Sequence, residues 1–233
     1  PESDGPLDLN QAYLTLGNHK EFPVSLKVGR QELILGEQRI VGALAWNNVQ
    51  RQWDAAKVRW QNPMFTLEGW SSMVVMPEDN RFNKPNNDEL FSGLQLTTKK
   101  IPKTWSEFYL LARNVGRGGN DGSRGLVPAP FRPPEAQDVY TAGMYLKNST
   151  NDWANVDWGA QAYYQFGNFA DFREAGGNGP RRDHSAFASV LSGGYTWKES
   201  EFAPRLGIEY SFASGDNNPT DGEHNTFVHL YPT

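Results

Sequence analysis

Two stretches decide the fold of this chain, Val24-Ser-Leu-Lys-Val28 and Trp53-Asp-Ala-Ala-Lys-Val-Arg-Trp60. In both, apolar side chains alternate with polar ones, so that Lys27, Lys57 and Arg59 face away from the apolar residues. In a soluble sheet the apolar face packs in the core, whereas in a membrane barrel it faces lipid and the polar face lines the lumen. The rest of the sequence must decide between these two arrangements.

Composition narrows the choice. The chain has 233 residues, which suits one sandwich or barrel domain, and it has no cysteine for a disulfide or thiolate metal site. No apolar run approaches the roughly 18 residues of a spanning helix, but barrel strands hide their apolar half by alternation. The chain begins at Pro1 without a signal peptide. We interpret residues 1–233 as one domain of a mature or excised segment.

The alternating pattern predicts about ten strands. They cover residues 7–16, 24–32, 53–60, 64–76, 90–99, 105–113, 138–147, 154–166, 185–197 and 204–213. The strand at 154–166 is the most regular and would span about 40 Å, which is longer than an ordinary globular strand. A single helical turn is predicted at residues 169–175.

The connections between these strands alternate in length. Short turns are predicted at 17–21, 61–63, 100–103, 148–152 and 198–201, and long polar loops at 33–52, 77–88, 114–135, 167–183 and 214–233. A sandwich gives no reason to place every long loop at one end, whereas outer-membrane barrels have short periplasmic turns and long extracellular loops. The predicted fold class is therefore all-β, an antiparallel transmembrane β-barrel in the bacterial outer membrane.

Specific motifs stand near both ends of the chain. They are Gly29-Arg-Gln-Glu-Leu33, Gly36-Glu-Gln-Arg-Ile-Val-Gly42, Trp46-Asn-Asn48, Trp53-Asp-Ala-Ala-Lys-Val-Arg59 and Tyr210-Ser-Phe-Ala-Ser-Gly-Asp216. With these motifs the sequence resembles the alginate export family. The resemblance implies an outer-membrane barrel of about eighteen strands whose lumen passes an anionic polysaccharide. With about ten strands, this chain would be an incomplete segment of such a barrel.

The candidate channel-lining residues are charged side chains, and most of them lie opposite the apolar faces of the strands. They are Lys27, Arg30, Glu32, Arg39, Lys57, Arg59, Glu68, Lys99, Arg113, Arg205 and Glu209. Arg30 and Glu32 would equally suit a structural ion pair, and Arg39 and Arg51 either gating contacts or solvated loop charges.

The face opposite the apolar one is predicted to carry an excess of cations, although the whole chain has a net charge of −5. Its bases are Lys27, Lys57, Arg59, Lys99, Arg113, Lys147 and Arg205, and its acids are Glu68, Glu107, Asp157 and Glu209. A narrow passage focuses such a field. The expected partners are therefore outer-membrane lipid and an alginate-like polysaccharide or small anionic solutes, without a cofactor.

Other functions have weaker signals. The acidic chain argues against nucleic-acid binding, and the glycine-rich Arg113, Arg117, Arg124 and Arg132 series lacks a P-loop ending. His19, His184, His224 and His229 show no metal-ligand spacing, and only Glu68 with Glu209 imitates a glycosidase pair, so no enzyme is predicted. Asp216, Asp221 and Glu223 form a weak Ca²⁺ candidate. A general porin and a soluble β-rich glycan-binding module stay open as alternatives.

Overall fold

The structure is a computed structural model, and it describes eight stretches of the chain. They are residues 9–17, 21–46, 50–76, 82–116, 136–148, 153–170, 181–218 and 221–233. All the regular secondary structure in these stretches is β-strand.

Twelve strands make up the fold. They are β1 (Ala12–Leu16), β2 (Val24–Gln31), β3 (Trp53–Gln61), β4 (Phe65–Met76), β5 (Lys84–Pro85), β6 (Glu89–Thr98), β7 (Thr104–Val115), β8 (Gln137–Asn148), β9 (Val156–Ala170), β10 (Arg181–Thr196), β11 (Arg205–Ala213) and β12 (Glu223–His224). Ten of them form one antiparallel meander, β1-β2-β3-β4-β6-β7-β8-β9-β10-β11. The two-residue strands lie off this path, β5 beside β4 and β12 parallel to β10. The predicted number of about ten strands is confirmed.

The ladder register assigns every strand residue to one of two faces. Lys27 pairs with Lys57, Lys57 with Trp70 and Trp70 with Gly93, so these four side-chain positions share a face. We call it the inner face, because residues 32–46 and 50–52 pack against it. The opposite surface is called the outer face.

The outer face is apolar and exposed over most of the sheet. Its exposed side chains include Leu14, Val28, Val58, Leu94, Leu110, Tyr164, Phe187, Leu191, Ile208 and Tyr210. In a water-soluble sheet a continuous surface of this kind would be unusual, whereas membrane strands require it. The predicted all-β antiparallel fold is confirmed. No helix in the described residues is both long and apolar enough to cross a membrane.

The inner face carries the core, and two loops supply about a third of it, seven of the nineteen clustered residues. Leu33, Ile40 and Val41 from the connection between β2 and β3 are buried, as are Leu230 and Tyr231 near the end of the chain. Residues 33–52 and 214–233 were both predicted as polar loops; their described residues do form loops, but the expectation that these loops are polar was wrong. Their apolar residues are too irregularly spaced to show a strand or helix period, yet they pack on Trp53 and Phe91 of the sheet.

The connection between β9 and β10 is shorter than predicted. β9 continues to Ala170 and β10 already begins at Arg181, with Phe169 paired to Arg182. The predicted loop at 167–183 is therefore wrong at both ends, and Phe169 belongs to a strand instead of a helical turn. Ala170 of that predicted turn also belongs to β9, and residues 171–175 lie outside the described residues. The alternation of short and long connections is confirmed, because the antiparallel order places the loops after β2, β4, β7, β9 and β11 at the same edge.

Candidate functional site

The inner face holds most of the ionisable side chains of the strands. On the ten strands of the meander, its bases are Lys27, Lys57, Arg59, Arg113, Lys147, Arg182 and Arg205, and its acids are Glu68, Glu89, Glu107, Asp157 and Glu209. Lys99 follows Thr98 by one residue and is exposed in the turn after β6. The structure thus places these sequence-predicted charges on one surface, and it adds Glu89 and Arg182.

Two ion pairs connect neighbouring strands β3 and β4 on this face, and a third spans β10 to join β9 and β11. Lys57 Nζ lies 3.2 Å from Glu68 Oε1, and Arg59 Nε lies 3.8 Å from the same oxygen. Arg205 Nη2 lies 2.5 Å from Asp157 Oδ1. Cross-strand charge pairs of this kind contribute to sheet stability and hold the side chains in place on the inner face.

A fourth ion pair is buried, and the sequence reasoning missed one of its members. Arg113 Nε lies 2.6 Å from Glu89 Oε1, and the side chains are 6% and 0% exposed. Glu89 falls between a predicted loop and a predicted strand. The alternation of side chains along β6 could have revealed Glu89 from the sequence, because Glu89, Phe91 and Gln95 lie on the same face of that strand.

Glu107 has no cation partner in the described part of the chain and is held by neutral donors instead. Trp105 Nε1 donates to its Oε1 at 2.6 Å, while Gln95 Nε2, at 2.9 Å, and the Tyr109 hydroxyl donate to its Oε2. These three donors hold the Glu107 carboxyl group in one orientation on the inner face.

The connection between β2 and β3 crosses the inner face as a strap, defined as its described residues 32–46 and 50–52. Glu37 accepts hydrogen bonds from Tyr145 of β8 at 2.8 Å and from Gln161 of β9 at 2.9 Å. Arg39 Nη2 lies 2.5 Å from Glu209 Oε2 of β11 and Arg39 Nε 3.6 Å from Glu37. The strap begins and ends at β2 and β3 but reaches the far strands of the sheet, so it narrows the space over this face.

The terminal segment, residues 221–233, runs beside the strap. The Gly42 amide donates to the Tyr231 carbonyl at 2.7 Å, and the Tyr231 amide to the Ile40 carbonyl at 2.8 Å. The Arg51 guanidinium donates to the Gly42 and Pro232 carbonyls, each at 3.0 Å. Arg51 is thus a structural tie between the two segments.

Tyr231 anchors both segments to the sheet. Its hydroxyl donates to Glu89 Oε1, and its ring makes edge contacts with Trp53, at 5.6 Å between centroids, and Phe91, at 4.8 Å. The Arg113 guanidinium lies 5.2 Å from the ring centroid. Burial, together with the nearby Glu89 charge, raises the pKa of Tyr231 well above its ordinary value, so the phenol stays a neutral donor.

Arg30 and Glu32 stand apart from the lining charges. Arg30 shares the outer face with Val28, and its Nε lies 2.9 Å from Asp54 Oδ1 of β3. Glu32 follows β2 directly and is half-buried. The structural ion pair considered for Arg30 is thus observed, with Asp54 as its partner instead of Glu32.

The weaker candidates are not brought together into sites. Glu68 and Glu209 lie on β4 and β11, each with its own cation partner. Asp216, Asp221 and Glu223 accept hydrogen bonds from Asn218, Glu223 and Asn225 of the same loop. No group of three or more potential metal ligands is found among the described residues.

Two histidines do meet at the long-loop end of the sheet. His184 Nδ1 lies 3.0 Å from His224 Nδ1, and the ring of Phe169 stacks on His224 at 4.2 Å. His229 contacts only the ring of Phe227 among its described aromatic neighbours. His19, Arg117, Arg124 and Arg132 lie outside the described residues.

An antiparallel sheet with an exposed apolar outer face and a charged inner face defines an outer-membrane β-barrel protein of the porin class. The chain belongs to the alginate export family, whose model matches residues 3–233. This is a family of outer-membrane transport porins, which decides against the soluble glycan-binding module. A comparison with curated proteins found no match.

Proposed function

We propose that this chain forms the wall of an outer-membrane channel that passes an alginate-like anionic polysaccharide along its inner face. One observation carries the proposal. Four of the five inner-face acids are ion-paired, namely Glu68, Glu89, Asp157 and Glu209. Lys27 and Lys147 on this face have no ion-pair partner among the described residues, and Glu107 is the one acid of the set without such a partner there, so the unneutralised charge of the face is mainly positive.

The lysines without an ion-pair partner act together with the strap. The strap narrows the passage, and a narrow space between low-dielectric walls focuses the field of the remaining charges. A polymer with one carboxylate per sugar is attracted at many positions at once, whereas a neutral polymer is not. The passage needs no cofactor and no chemical step, because the inner face offers binding and guidance only.

A channel for small anionic solutes is the second candidate, and the strap favours it. Contacts of Glu37 and Arg39 with β8, β9 and β11 hold the strap across the inner face. A closely held strap admits small solutes more readily than a polymer. The same cations would select anions in either case.

The test is the reversal potential of the full-length protein in planar bilayers under a salt gradient. We expect anion selectivity that weakens with added salt, because screening acts over about 10 Å at 0.1 M. Lys27→Glu combined with Lys147→Glu should reduce or reverse the preference, whereas Lys100→Glu in the turn after β6 should change it little. A cation-selective wild-type channel would contradict the proposal.

A further inference from the structure

Trp105 is unusual among the tryptophans of the inner face. Trp53 and Trp70 are 0% and 6% exposed and belong to the core, whereas Trp105 is 38% exposed. It lies at the turn end of β7, paired with Lys147 and on the same face as Glu107. Its Nε1 donates to Glu107 Oε1 at 2.6 Å, which fixes the orientation of the indole.

The aromatic girdle of a membrane barrel does not explain this residue. Girdle tryptophans lie at strand ends on the lipid-facing side. Trp105 is at a strand end, but the register places it on the inner face with Tyr109 and Tyr145. An exposed indole on this face is therefore available to bind a solute inside the passage.

Lys147 gives this position its charge. It pairs directly with Trp105, and its Nζ lies 5.6 Å from the centroid of the Tyr145 ring. No acid lies within ion-pair distance of it in the described part of the chain, unlike Lys57, Arg59 and Arg113. Glu107 is already held by Trp105, Gln95 and Tyr109.

We propose that Trp105 and Lys147 form a sugar-binding platform, which takes a uronate residue of the polymer at the turn end of the passage. The apolar face of a pyranose ring stacks on the indole, and the uronate carboxylate pairs with the Lys147 ammonium. Directly paired residues have Cβ atoms about 5 Å apart, so both groups reach one sugar. The inference rests on the proposed function and assigns its substrate an entry subsite.

The experiment records single-channel current of the full-length protein while a short mannuronate oligomer is added on one side at a time. We expect transient blocks of the current. Trp105→Leu and Lys147→Gln should each shorten them by roughly tenfold, which corresponds to about 1.4 kcal/mol. Trp105→Phe should retain part of the block duration, because it keeps an aromatic face.

Matched controls come from the same end of the sheet. Trp197→Leu removes an exposed tryptophan beyond β10, and Lys100→Gln removes an exposed lysine from the turn after β6, so neither should change the blocks. Blocks that survive Trp105→Leu and Lys147→Gln unchanged would overturn the platform and leave the channel intact. A wild-type channel that the oligomer never blocks, with cation selectivity, would overturn the proposed function. If Trp105→Leu fails to fold, the block durations of Trp105→Phe and Lys147→Gln decide whether the platform binds the oligomer.

Discussion

At the scale of single residues, a few contacts decide whether the inner face is open or covered. Tyr231 is central to them, because one side chain ties the terminal segment to Glu89 and to the rings of Trp53 and Phe91. Its backbone bonds the strap at Ile40 and Gly42. The position of two segments thus depends on one buried phenol.

Tyr231→Phe should loosen both segments without unfolding the sheet. The change keeps the ring contacts but removes the donor to Glu89, and a buried acceptor that loses a donor costs about 1–3 kcal/mol. We expect larger and more frequent fluctuations of single-channel current in the full-length protein. Tyr210→Phe, at an exposed position of the outer face, is the control. Identical current traces for Tyr231→Phe and wild type would show that the Tyr231 hydroxyl does not hold the two segments in place.

The histidine contact at the long-loop end should make the terminal segment sensitive to acid. Burial lowers the pKa of His224 below its ordinary value of 6.5, and Arg182 adds to this, while Asp216 opposes it. The undocked segment therefore binds a proton that the docked one does not. Docking is complete above about pH 6.5 and weakens as the pH falls below it.

Hydrogen-exchange protection factors of residues 221–233 measure this effect. We expect them to fall between neutral pH and about pH 5, and to fall less in His224→Phe, which keeps a ring over Phe169. His229→Phe is the control, because His229 lies outside the paired imidazoles. Protection independent of pH would show that this contact does not hold the segment.

At the scale of elements, the two faces of one strand give a direct test of membrane exposure. Ser189 and Ser192 both lie in β10, but Ser189 pairs with Ala162 on the outer face and Ser192 with Gly159 on the inner face. Ser189→Arg should cost roughly 2–4 kcal/mol if the outer face lies near the bilayer midplane. Ser192→Arg should cost far less, because it enters the passage beside Glu209.

Folding of the full-length protein into lipid vesicles, followed by its heat-dependent gel mobility, compares the two variants. Equal tolerance of arginine at both positions would contradict the assignment of faces. The comparison is clean because residue type and strand are the same.

The strands were predictable because alternation with period two is a local signal, and it is strongest at residues 154–166. The same alternation placed Lys57, Arg113 and Arg205 on one face. The strap and the terminal segment were not predictable, because their burial depends on contacts between positions far apart in sequence, such as Gly42 with Tyr231. The ion pairs could not be predicted from the sequence either, because they depend on the register between strands.

At the scale of the whole molecule, the sheet separates two environments. The outer face carries exposed leucine, phenylalanine and tyrosine side chains, and the inner face carries the charges, the strap and the terminal segment. Of the acids in the described stretches, most lie outside the inner face or in ion pairs with cations on it. This arrangement reconciles an acidic protein with a passage for anions.

The central claim is that solute moves along the inner face, and cysteine modification during current recording tests it most directly. These 233 residues contain no cysteine, so Ser192→Cys and Ser189→Cys each introduce a single reactive thiol into them. In an otherwise cysteine-free full-length channel, a negatively charged thiosulfonate should reduce the anion current through Ser192→Cys and leave Ser189→Cys unchanged. A current that responds at Ser189 but not at Ser192 would contradict the account.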